Sequence, residues 1–188
     1  RSIEDGKAIV DVAFTLRSYA MYPFDLTGTV EIRPPDGAGE VLSQDFRTGY
    51  FNGAQRRRLT FEIPDPQLWW PNGMGEQPLY TLRIDARAVE HHRGDAGHSS
   101  DECELRFGIR TLEMRPTPDG RWKYDWIFAV NGRPFFAKGS NWMPIDQMLR
   151  LDPEHYNRLL QRAADSHINM LRPWGAGLLE TDAFYEAC

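Results

Sequence analysis

Between residues 8 and 16 apolar and polar side chains take turns, placing Val10, Val12, Phe14 and Leu16 on one side of an extended chain. The same period of two returns in residues 27–32, 41–44, 58–63, 79–86 and 103–107. Turn formers separate these runs: Pro34-Pro35-Asp36-Gly37, Pro64-Asp65-Pro66 and the Gly-rich, polar stretch 94–100. Short alternating strands at this spacing predict an antiparallel β-sandwich of immunoglobulin type over the first hundred or so residues. The paired cysteines of antibody domains are missing, so the resemblance is one of architecture.

After Gly108 the pattern changes. Asn131-Gly132 between apolar runs predicts a tight hairpin, and Phe135-Phe136-Ala137 predicts a short buried strand ended by Lys138-Gly139-Ser140-Asn141-Trp142. From Asp152 to His167 the period becomes helical, with Asp152 as N-cap, Pro153 at the first helical position and Tyr156, Leu159, Leu160 and Ala163 as the apolar stripe. A second strand is expected at residues 168–171 and a second helix from Thr181 or Asp182. Strand, helix, strand, helix is the unit of a parallel-sheet fold, whose chemistry sits where strands end. An eight-fold barrel needs about 250 residues, so at most its first two units are present, and a doubly wound sheet suits the same pattern.

Composition narrows the function. Of 188 residues, 41% are hydrophobic and 26% charged, which is the balance of a globular chain rather than a disordered one. A net charge of -5 argues against nucleic acid as partner, and Arg56-Arg57-Arg58 reads as a solvated strand edge. No stretch approaches the roughly 18 apolar residues of a membrane span. Cys103 and Cys188 form no disulfide framework, which leans towards a reducing compartment. His91-His92 and His98 fall in a polar turn, without metal-ligand spacing, and no metal or cofactor is expected. The chain starts at Arg1 and stops at Cys188 within a helical pattern, so we expect an internal piece of a longer protein.

Asn141, Trp142 and Asp146 follow the first of the two late strands, and Arg172 and Trp174 follow the second. A sugar site suits these types: an indole face stacks on the C–H face of a pyranose, while Arg, Asn and Asp direct hydrogen bonds to hydroxyls. Gly175 and Gly177 let backbone pass close to a ligand. Packing suits them too, with Trp174 plugging a core and Arg172 pairing with a carboxylate. Residue type alone leaves both open. Asp146 and Glu180 are the carboxylates on this face. Asp146 reads as a hydrogen-bonder or loop brace and Glu180 as a partner for the next helix N-terminus; no acid/base pair is visible.

Four motifs together carry a family resemblance. Leu68-Trp69-Trp70-Pro71-Asn72-Gly73-Met74-Gly75-Glu76-Gln77-Pro78-Leu79-Tyr80, Phe107-Gly108-Ile109-Arg110-Thr111, residues 128–146 and residues 169–180 resemble, in this order, segments of glycoside hydrolase family 2 β-mannosidases. The resemblance implies an immunoglobulin-like sandwich at 1–108 and the truncated start of a (β/α)8 TIM barrel at 109–188. Trp69-Trp70 would then pack between domains rather than bind sugar. The implied activity is exo-acting, retaining removal of terminal β-D-mannose from oligosaccharides, without a cofactor. Another family 2 exo-glycosidase (a β-glucosaminidase, β-galactosidase or β-glucuronidase) and a non-catalytic sugar-binding or spacer module are the alternatives. Arg172 and Trp174 match residues around the −1 sugar, with Asn141, Trp142 and Asp146 nearby. The acid/base and nucleophile glutamates belong beyond Cys188, and the N-terminal jelly roll and the rest of the barrel to the same parent chain, so these 188 residues alone are expected to be inactive and to expose apolar faces after about residue 135. Pro173 stands where the family more often has an ordinary apolar residue and Ala176 where glycine is usual, which predicts a stiffer loop after Trp174.

Overall fold

The computed structural model describes residues 2–4, 6–20, 23–37, 39–90, 98–117, 126–175 and 177–188. The His91-His92 turn, the start of the 94–100 turn and Ala176 lie outside them. Two compact units emerge, one of residues 1–69 and 77–111 and one of residues 70–76 and 112–188.

In the first unit β1 (Ser2–Glu4), β2 (Lys7–Ser18), β3 (Phe24–Arg33), β4 (Leu42–Thr48), β5 (Gly53–Pro64), β6 (Tyr80–Glu90) and β7 (His98–Phe107) form two antiparallel sheets, ordered β1-β2-β5 and β4-β3-β6-β7. Alternation does the sorting. Val10, Val12, Phe61 and Ile63 from one sheet meet Leu26, Val30, Ile32, Phe46, Leu82 and Phe107 from the other in a single buried cluster, which makes the unit a β-sandwich. The strands outrun their apolar patterns because pairing continues along polar residues, as where Arg17 and Ser18 face Ala54 and Gly53. For the same reason His98, Ser99 and Ser100, expected in a turn, open β7 by pairing with Val89, Ala88 and Arg87. Arg56 and Arg58 are exposed, and Arg58 pairs with Asp11 at 3.5 Å.

The motifs around residues 69 and 108 meet within this unit. Trp69 N–H donates to Ile109 O at 2.9 Å. Its indole lies so close over Gly108 that a Cβ there would sit 2.8 Å from Trp69 Cβ and Cγ, and the Arg110 guanidinium stands 4.4 Å from the ring centroid. Trp70 belongs to the second unit, where it covers Gly75 and its N–H donates to Glu76 O at 2.9 Å.

The second unit opens with β8 (Leu112–Pro116), β9 (Trp126–Val130) and β10 (Arg133–Phe135), paired antiparallel in the order β10-β9-β8. Asn131 and Gly132, with φ of 50° and 75°, make the β9–β10 turn that their sequence predicts. The next strand departs from expectation. Phe136 is 81% exposed, and the strand begins later, as β11 (Gly139–Trp142), which pairs in parallel with β12 (Met170–Pro173). The apolar run 135–137 looked more strand-like than Gly-Ser-Asn-Trp, but a distant partner strand, not local propensity, decides.

Between them runs α1 (Pro153–Asp165). Asp152 Oδ1 accepts from His155 N–H at 2.8 Å as the N-cap. The helix ends two residues before the predicted His167: Ile168 N–H donates to Ala163 O and His167 N–H to Ala164 O, a Schellman closure with His167 left-handed at φ 59°. Helix α2 (Asp182–Ala187) comes next. Tyr156, Leu160 and Phe184 are the buried centre of this unit's cluster, flanked by Trp142, Ile145, Leu151 and Leu171.

Gly28 in β3 gives a direct test of the sandwich. A Cβ there would lie 2.3 Å from Asp85 O and 2.3 Å from Phe46 Cζ. Gly28→Ala should therefore destabilise the chain by about 1–3 kcal/mol through overpacking, read as a lowered urea midpoint at unchanged slope. An unchanged midpoint would contradict the register of β3 against β4 and β6.

Candidate sugar site at the ends of two parallel strands

In the register of β11 with β12, Asn141 faces Arg172 and Trp142 faces Pro173. Arg172 Nη1 donates to Asn141 Oδ1 at 3.2 Å, so these two predicted site residues come together, both exposed. Among the described residues Arg172 has no carboxylate partner. Its remaining N–H groups are available to a ligand.

Trp174 comes immediately after β12 and is 46% exposed. Its N–H donates to Trp142 O at 2.9 Å, and its own O accepts from Gly177 N–H at 3.0 Å. A Cβ on Gly175 would meet nothing within 4 Å, so that glycine borders open space. Because Trp174 and not Pro173 donates to Trp142 O, the strand's alternation turns the Pro173 nitrogen to the edge of β12 away from β11. The proline therefore takes no donor from this ladder.

Trp142 and Asp146 sit elsewhere. Adjacent residues of a strand point to opposite faces, and Trp142 is turned onto the helices, 6.4 Å from Tyr156 and 5.1 Å from Phe184 between ring centroids. Its indole N–H donates to Glu180 Oε1 at 2.8 Å. Asp146 braces the loop after β11: Oδ1 accepts from Met148 N–H at 2.7 Å, and Oδ2 accepts from Arg150 Nη2 at 2.7 Å and Nε at 3.1 Å. Neither Asp146 nor Glu180 stands free as an acid or base, and no cluster of three metal-ligating side chains occurs among the described residues.

Sequence reading missed three clasps made by side chains far from their partners. Asn72 Nδ2 lies 3.0 Å from both Ala164 O and Ile168 O, holding the Pro71–Met74 turn to the end of α1. Asn169 Oδ1 accepts from Lys138 N–H at 2.9 Å while Nδ2 donates to Phe136 O at 3.1 Å, tying the starts of the two strands. Glu180 joins Trp142 to Tyr156. Only Asn72, in an Asn-Gly turn, carried a local signal. At this opposite end of the strands lies an open depression of about 350 Å³, lined by residues including Arg133, Phe136, Lys138 and His167; it holds none of the predicted site residues.

The Arg150 guanidinium, helped by the Met148 N–H, holds the Asp146 carboxyl below its ordinary range. A depressed folded value means that the brace is fully charged above about pH 3.9, the unfolded value, and is lost only as pH falls through the lower folded one. Carboxyl NMR titration should place Asp146 below about 3.9, and Arg150→Gln should move it upwards; an unmoved midpoint in that variant would refute the pairing.

Sequence and structure comparisons agree on ancestry. The family described as Glycosyl hydrolases family 2 matches residues 2–110. Beta-mannosidase B of Emericella nidulans is 35% identical over 132 residues, covering 70% of this chain and 15% of its own length. Mannosylglycoprotein endo-beta-mannosidase of Lilium longiflorum is 41% identical over 125 residues, 65% of this chain and 12% of its own. The crystal structure of beta-D-mannosidase from Dictyoglomus thermophilum matches with a TM-score of 0.78 and 33% identity, covering 100% of this chain and 22% of that one. The chain thus spans about 15% of the first curated relative's length. With the family matching more than half of its residues, the chain belongs to glycosyl hydrolase family 2.

Proposed function

We propose that this chain is the sandwich-to-barrel segment of a glycoside hydrolase that removes terminal β-D-mannose from oligosaccharides. On this reading residues 1–108 are an immunoglobulin-like sandwich and 109–188 the opening of a (β/α)8 barrel. The observation that carries it is the exposed Arg172–Asn141 pair beside the half-exposed Trp174, where two parallel strands end. Support comes also from the β-mannosidase names of relatives at 33–41% identity.

In the −1 subsite Arg172 and Asn141 direct hydrogen bonds to sugar hydroxyls, and Trp174 lays its indole against the apolar face of the ring. Trp142 and Asp146 shape the site from behind it, one by packing and one by bracing its loop. Retaining cleavage needs an acid/base and a nucleophile about 5–5.5 Å apart. The family resemblance assigns both to later strands, so the chemistry belongs to the longer protein. The name of the lily relative, an endo-beta-mannosidase, favours a second reading in which an internal β-mannosidic bond is cut.

A panel of nitrophenyl β-glycosides tests the proposal on the complete protein. The mannoside should be hydrolysed in preference to the galactoside, glucosaminide and glucuronide, and Arg172→Ala should lower kcat/KM about ten- to a hundredfold, the loss of charge-assisted hydrogen bonds of about 1.5–3 kcal/mol. The 188-residue chain alone should release nothing. Hydrolysis of another glycoside but not the mannoside overturns the substrate; cleavage of an oligomannosyl glycopeptide only at internal bonds selects the second reading.

A further inference from the structure

Glu180 is a part-buried carboxylate whose hydrogen-bond partners are two rings. Trp142 Nε1–H donates to Oε1 at 2.8 Å and Tyr156 Oη–H donates to Oε2 at 2.5 Å. Among the described residues no Lys or Arg pairs with it. A carboxylate held by neutral donors gains little from charge pairing, and what it does gain is direction: each oxygen fixes one ring. Trp has a single polar hydrogen, and in Trp142 that hydrogen is spent on Glu180. The two donors lie on β11 and α1, 38 and 24 positions away in sequence.

Trp142 also accepts, through its backbone O, from Trp174 N–H at 2.9 Å. The segment that leaves β12 is therefore tied to Trp142 at both ends, at Trp174 through the main chain and at Glu180 through the indole. We infer that Glu180 is a positioning residue: by clamping Trp142 and Tyr156 it holds Trp142 in place, and so sets Trp174, tied to the Trp142 main chain, against the sugar beside Arg172 and Asn141. It touches no substrate. The kinetic part of this inference rests on the function proposed above; the structural part does not.

Two measurements test it. In the 188-residue chain, NMR hydrogen exchange at the Trp174 amide should run about tenfold faster in E180A, while the Leu160 amide of α1 keeps its rate. Equal acceleration at both sites means global loosening, and an unchanged Trp174 amide means no clamp; either overturns the inference. Should E180A fail to fold, E180Q, which keeps one acceptor, should give about a threefold acceleration confined to Trp174. In the complete enzyme, E180A should lower kcat/KM on the β-mannoside about tenfold, W142F somewhat less, and the double variant no more than E180A alone. Additive losses, or activity within twofold of wild type, overturn it. A wild-type enzyme inactive on every glycoside would sink the function proposed, and the exchange experiment would still decide the clamp.

Discussion

Two strands lying parallel constrain the second unit. A parallel pair cannot be closed by a short turn, so the chain after β11 must cross over before β12, and α1 lies within that crossover. The helices cover one face of the pair. Alternation then divides the residues: Trp142 and Leu171 go under the helices, and Asn141 and Arg172 go to the other face. The guanidinium and indole at the end of β12 are exposed because the crossover already covers the opposite side.

How much of this the sequence carried depends on whether the governing interaction is local. The cap at Asp152, proline at 153 and the Asn131-Gly132 turn are written within four residues of where they act, and each appears in the structure as read. The strand β11 could not be found that way, because glycine, serine and asparagine have no strand preference of their own and pair only against a partner about thirty residues on. Grouping Asn141 with Trp142 as one cluster overlooked the period of two that had organised the first half of the chain. Glu180, Asn72 and Asn169 act across distances in sequence that no pattern spans.

The sandwich has its own knot of side chains, close to the C-terminal end of its last strand. Gly108 is required because the Trp69 indole occupies the space of its missing side chain, and Arg110 then lies across that ring. The guanidinium is shifted down by desolvation against the ring, and the π face offers compensation for the water it loses. Two motifs that look unrelated in sequence are thus one packed contact.

Pro173 has a consequence for whatever pairs along the far edge of β12. Among the described residues β12 pairs only with β11, and the Pro173 nitrogen faces its other edge. By turning a nitrogen without hydrogen towards that edge, the chain removes a main-chain donor there while keeping the ladder to β11 whole. A strand laid along that edge would find no N–H at Pro173 and would have to bond around it, while the neighbouring arginine and tryptophan keep their places.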